Sequence, residues 1–128
     1  MEENENTEND SEILFNTALL GELGDKKSLL IVLDFFLINT PKDLTELASF
    51  VQSIDYPNII KKAHKLKGSF SMLRAGKMVV ILDNLESAAT LNENMTLIEA
   101  LVASFLGNYR ILEFQMRAEI DIIKSGLA

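Results

Sequence analysis

The sequence predicts an all-α protein, an antiparallel up-down four-helix bundle with a short additional N-terminal helix. Apolar residues recur at three- and four-residue spacing in five segments, and no stretch shows a convincing strand period of two. The segments are joined by short turns, which favour antiparallel neighbours. At 128 residues, 48% of them hydrophobic, the chain is one domain with enough material for a real core.

Each helix has its own start and stop. Ser11 caps a short first helix to about Leu23, closed by Gly24. Asp25 caps a long second helix to about Ser53, in which Pro41 removes one hydrogen bond and bends the axis. Asp55 with Pro57 opens the third helix as a cap followed by an early-turn proline. Ala75-Gly76 breaks the chain before a fourth helix to about Thr90. A polar turn over Leu91–Asn94 leads into the last helix, Met95 to about Ile123, with Ile98, Leu101, Phe105, Leu112 and Met116 on one side.

The second helix has more apolar surface than one bundle stripe needs. Leu30, Leu33, Leu37, Leu44, Leu47 and Val51 make a core face. Leu29, Ile31, Val32, Phe35, Phe36 and Ile38 surround its first half. The first helix is expected to cover most of these with Ile13, Leu14 and Leu19. A remainder, Phe35 or Ile31, is expected to stay exposed as an apolar docking patch.

The net charge of −7 is unevenly spread. Glu2, Glu3, Glu5, Glu8, Asp10 and Glu12 are six acids with no base among them. Residues 1–10 therefore read as a disordered acidic tail and 11–128 as the bundle. The absence of cysteine excludes disulfides and thiolate metal sites, and a single histidine makes structural zinc implausible. The polar N-terminus is no signal peptide, and the longest apolar runs fall short of the roughly 20 residues a bilayer span needs. No membrane association and a cytoplasmic location are the expectations. Nucleic acid is not an expected partner, because no extended basic surface or basic-aromatic interleaving occurs.

The one histidine, His64, lies in Ala63-His64-Lys65-Leu66-Lys67-Gly68-Ser69. Imidazole is a good uncharged nucleophile near neutral pH. Ile59, Ala63, Leu66, Phe70 and Leu73 follow a 4-3-4-3 spacing that defines the buried stripe. At about 100° per residue His64 points roughly 140° away from that stripe, toward solvent. Its face carries Ile60, Lys61, Lys67, Gly68, Ser71 and Ala75. A lone surface histidine is ordinarily idle, but its neighbours are unusual. Lys61, Lys62, Lys65, Lys67, Arg74 and Lys77 place six of the twelve basic residues within seventeen positions. Gly68 in mid-helix costs about 1 kcal/mol relative to alanine, which suggests that close access to the imidazole is its purpose.

The string Ala63-His64-x-Leu66-Lys67-Gly68-Ser69 resembles the signature of histidine-containing phosphotransfer (HPt) domains of two-component signalling. Phe36-Leu37-x-x-x-Pro41-x-x-Leu44 is similar to the family's second helix, and Leu82-x-x-Leu85-Glu86-x-Ala88 to the helix after the histidine. The likeness covers roughly residues 12 to 124. Two positions depart from the pattern. Phe70 replaces the small residue that usually follows Ser69, and Arg74 stands where a glycine normally precedes Ala75.

The resemblance implies a relay that accepts a phosphoryl group on His64 from a receiver's aspartyl phosphate and passes it to another receiver. Lys67, on the histidine's face, is expected to stabilise the transferring group. Lys65 is rotated roughly 100° away and contributes to the long-range field. Ile60, Lys61, Lys65, Gly68, Ser71 and Phe35 form the expected partner surface. The partners implied are response-regulator receivers or a hybrid sensor histidine kinase, engaged by a monomer. No cofactor is expected, with Mg²⁺ supplied only by the receiver because no acidic cluster neighbours His64 in the sequence. No nucleotide-binding motif is present, so self-phosphorylation from ATP is not expected. Two alternatives stand beside this reading: a non-catalytic adaptor bundle, and a general-base hydrolase, disfavoured because no local carboxylate would orient the ring.

Overall fold

The computed structural model describes residues 13–16 and 24–127. Among these residues the chain forms four α-helices and no strand: α1 Lys26–Gln52, α2 Tyr56–Met72, α3 Gly76–Thr90 and α4 Met95–Leu127. Each helix packs on the next, and α4 returns to α1, which closes a four-membered ring around the core.

The helix starts are those the sequence marks. The Asp25 carboxylate accepts the Ser28 backbone N–H at 2.7 Å, and that bond holds its carboxyl below the usual range. Asp55 accepts from the Asn58 N–H at 3.3 Å, with Pro57 in the first turn of α2. Asn94 accepts from Leu97 N–H at 3.0 Å at the head of α4. The last helix runs four residues beyond the expected end at Ile123, and Lys124 in its final turn complements the negative end of the helix dipole.

The expected N-terminal helix is not seen at residues 13–16, which are non-helical. Their N–H groups are used over long range instead. Leu14 donates to the Gln115 side chain at 2.8 Å and Asn16 to the Leu73 carbonyl at 3.0 Å, so neither closes a helical turn. Leu14 and Phe15 are buried whereas Ile13 is exposed. The rest of that expected helix, Leu19 included, and the acidic leader lie outside the described residues.

The three reversals between helices share one device. After α1, α2 and α3 the chain enters the left-handed region at Ile54 (φ 56°), Arg74 (φ 54°) and Asn92 (φ 52°). The following N–H then reaches back five residues: Asp55 to Phe50, Ala75 to Phe70 and Glu93 to Ala88, at 2.9–3.0 Å. These are Schellman closures, in which glycine is the usual left-handed residue. The glycine expected before Ala75 is thus a conformational requirement that Arg74 meets with strain. Ile54 is the costlier case, because a β-branched residue is least suited to positive φ. Ile54→Gly is expected to raise stability by about 1 kcal/mol, or roughly 4 °C in Tm by thermal unfolding. An unchanged or lower Tm would mean that the turn carries no strain at this position.

Phe70, the other departure, is fully buried between α1 and α4. Its ring meets Phe36, Phe105 and Tyr109 edge-on, with centroids 4.9, 5.4 and 6.2 Å away. A small residue there would leave three aromatic rings without their common neighbour. Burial pushes the Tyr109 hydroxyl up to about 12.

By length and composition, Met95–Gly126 is long and apolar enough to cross a bilayer. The sequence contains no uninterrupted run of that length, but scattered polar residues do not break the helix. Its apolar stripe, from Ile98 through Phe105, Leu112 and Met116 to Ile123, is buried within the bundle.

Candidate functional site

The stripe Ile59, Ala63, Leu66, Phe70 and Leu73 is buried as its spacing predicts, and this fixes the rotation of α2. His64 is consequently directed outward, with 72% of its side chain exposed. Ile60 is half-buried beside it, while Lys61, Gly68 and Ser71 lie exposed along the same ridge. A Cβ added at Gly68 meets nothing within 4 Å, so the backbone there is open to an approaching group. Ala75 does not belong to this face. The helix ends at Met72, and the left-handed turn carries Ala75 into the core, where it precedes α3.

The neighbouring helix supplies what the local sequence lacks. Glu86 of α3 places Oε2 3.3 Å from His64 Nδ1 and Oε1 2.9 Å from Lys67 Nζ. Lys67 also pairs with Asp83 at 3.0 Å. Hydrogen bonds to Glu86 and Asp83 hold the Lys67 ammonium above its ordinary range, so it remains charged at neutral pH. The expectation of no carboxylate beside the ring is therefore overturned. Helices α2 and α3 pack closely enough for a residue 22 positions away to reach the imidazole. Glu86 was visible in Leu82-x-x-Leu85-Glu86-x-Ala88, one position past the buried Leu85, and Asp83 lies one turn earlier on the same face. Both carboxylates engage Lys67, and no group of three or more potential metal ligands occurs among the described residues.

The basic run is equally altered in space. Lys62 pairs with Asp43 and Glu46 of α1 at 2.9 and 2.6 Å, and Lys65 pairs with Asp43 at 3.0 Å. Burial opposes charge on both Asp43 and Lys62, yet their hydrogen bond prevails, with the carboxyl held down and the ammonium up. Three cations counted as a patch in sequence are thus matched by acids from the two flanking helices. Lys65 stays 61% exposed and also forms part of a wall.

That wall belongs to an apolar groove of about 260 Å³ between α1 and α2, lined by Phe35, Phe36, Lys65, Ser69, Met72 and Leu73. Phe35 is 68% exposed at its rim, and Ile31 and Ile38 continue the ridge along α1. Leu29 and Phe36, read as surplus on α1, are in fact core. Ser69 donates back to the Lys65 carbonyl at 3.4 Å, satisfied within its own helix. His64 therefore stands on a crest, with carboxylates toward α3 and an apolar groove toward α1.

A family model described as the Hpt domain matches residues 32–126, and the chain belongs to that family. No curated protein and no solved structure gives a significant match. Hpt domains are phosphorelay modules that interact with receiver domains, and their helical-bundle architecture agrees with the four helices described above.

Proposed function

We propose that this chain is a phosphorelay intermediate that takes a phosphoryl group onto His64 from a receiver's aspartyl phosphate and delivers it to another receiver. The observation that carries the reading is the pose of the imidazole within a family match. Nδ1 lies 3.3 Å from Glu86 Oε2, which leaves Nε2 of this exposed ring to act as the nucleophile. A neutral ring bearing its proton on Nδ1 has its lone pair on Nε2, the arrangement needed for attack on phosphorus. The reaction adds negative charge beside the ring, and Lys67, poised on the same face, is the cation that exchanges a carboxylate for a phosphoryl oxygen. Mg²⁺ enters with the receiver. The Phe35–Met72 groove and the exposed crest at Lys61, Gly68 and Ser71 form the docking surface. A cytoplasmic monomer suits this role.

The test is incubation with a panel of phosphorylated receivers, followed by a search for acid-labile label on the protein. Absence of transfer from every donor would refute the relay. Lys67 separates chemistry from docking. Lys67→Ala is expected to slow transfer at saturating receiver about tenfold or more while weakening binding less. Lys65→Ala should instead lower the association rate, in a way that fades as salt rises. Equal, salt-insensitive losses in rapid-quench kinetics would contradict the distinct roles given to the two lysines.

A further inference from the structure

The groove between α1 and α2 has a polar end whose hydrogen-bonding capacity is not used up. Thr40 lines it and is only 4% exposed, and its hydroxyl forms no hydrogen bond among the described residues. Thr45 and Thr90, also within helices, each donate to the carbonyl four residues back. A buried hydroxyl left unpaired is a cost that a ligand can remove. Asp43 lines the same end, with 13% of its side chain exposed. Lys62 and Lys65 both bond its Oδ1, so its Oδ2 holds neither. Lys65 keeps further N–H donors, since its one ion pair is with that oxygen. The rest of the groove is apolar, walled by Val32, Phe35, Phe36, Met72 and Leu73.

We propose that this groove is a binding site for a small neutral aromatic amide, its ring among Phe35, Phe36 and Met72 and its amide group at Thr40, Asp43 and Lys65. The charges select the head. Lys62 and Lys65 are matched by Asp43 and Glu46, so these four side chains sum to no net charge. An anionic or a cationic head would be attracted by one neighbour, repelled by the other, and stripped of its own hydration with no net gain. An amide both donates and accepts, which suits a carboxylate oxygen, a hydroxyl and an ammonium together. The walls select the body. Phenyl rings favour an aromatic guest edge-on or offset, and the Met72 thioether packs well against a ring. A cavity of about 150 Å³ accommodates benzene. The groove's volume of about 260 Å³ therefore suits a two-ring compound. The site needs no phosphoryl chemistry and stands whether or not His64 relays.

The chain contains no tryptophan, so the fluorescence of an indole ligand reports on the ligand alone. Indole-3-acetamide, titrated with the full chain and followed by fluorescence anisotropy, should bind saturably with a Kd on the order of 0.1–1 mM, as suits so small a molecule. Indole-3-acetate and tryptamine carry the same rings with an anionic and a cationic head, and each should bind about tenfold more weakly. Thr40→Val removes the hydroxyl at nearly constant shape and should weaken the amide roughly three- to tenfold, with the helical circular dichroism spectrum retained. Phe35→Ala, at a rim position that is 68% exposed, should fold and also lose affinity. No saturable binding below about 10 mM would overturn the site and leave the groove to a protein side chain. Equal affinity for all three indoles would overturn the neutral head, and amide binding indifferent to both substitutions would put the ligand elsewhere on the protein.

Discussion

His64→Gln is expected to abolish acid-labile phosphorylation and to leave the thermal transition within a degree or two of wild type. Both halves follow from exposure. The imidazole is 72% exposed, so its loss removes the proposed nucleophile and little packing. Glutamine cannot attack phosphorus to give a phosphoramidate of this kind, and the chain holds no second histidine to take over. Acid-labile label in the variant would place the chemistry on another residue. A collapse in Tm would mean the ring is structural. Phosphoryl uptake, with receiver binding as the control, discriminates the adaptor reading: an adaptor takes up no label with or without His64, and a relay keeps docking but loses uptake.

The second large effect belongs to Gly68, one turn from the histidine on the same ridge. Gly68→Gln should fold and yet transfer poorly, because its side chain would project into the space from which a phosphorylated aspartate reaches Nε2. The two consequences are separable because the site is open. A Cβ at Gly68 meets no atom within 4 Å, so the bundle itself does not require glycine. Gly68→Ala should accordingly gain about 0.5–1 kcal/mol of stability, as alanine is the better helix former. Thermal unfolding and single-turnover transfer on both variants read the two effects. Normal transfer by Gly68→Gln would show that the glycine has no part in access.

What could be read from the sequence, and what could not, divides along sequence distance. The rotation of α2 was legible because five apolar residues within one helix specify it, and His64 followed from that rotation by arithmetic. The caps Asp25 and Asp55 were legible because each bonds an N–H three residues on. Glu86 at Nδ1 was not, because no pattern along one helix tells which acid of another will meet it. The same limit made Lys62, Lys65 and Lys67 look like a bare cationic patch when Asp43, Glu46, Asp83 and Glu86 stand opposite. Ala75 failed for a different reason: helical arithmetic was continued three residues past the helix end. At residues 13–16, a local capping signal lost to N–H bonds with residues far along the chain.

The closures at Ile54, Arg74 and Asn92 bear on how such a module behaves mechanically. Each reversal is short and is bonded back onto the helix it terminates, by one N–H from the left-handed residue and one from the next. Such a joint resists flexing, because opening it would strand two carbonyls at a helix end. The closure at Arg74 joins the helix carrying His64 to the helix carrying Glu86. The separation of His64 from Glu86 is therefore held by a clasp with no hinge in it. In the proposed relay, donor and acceptor would meet the same spacing in turn, and any adjustment needed to fit them would fall to the partners.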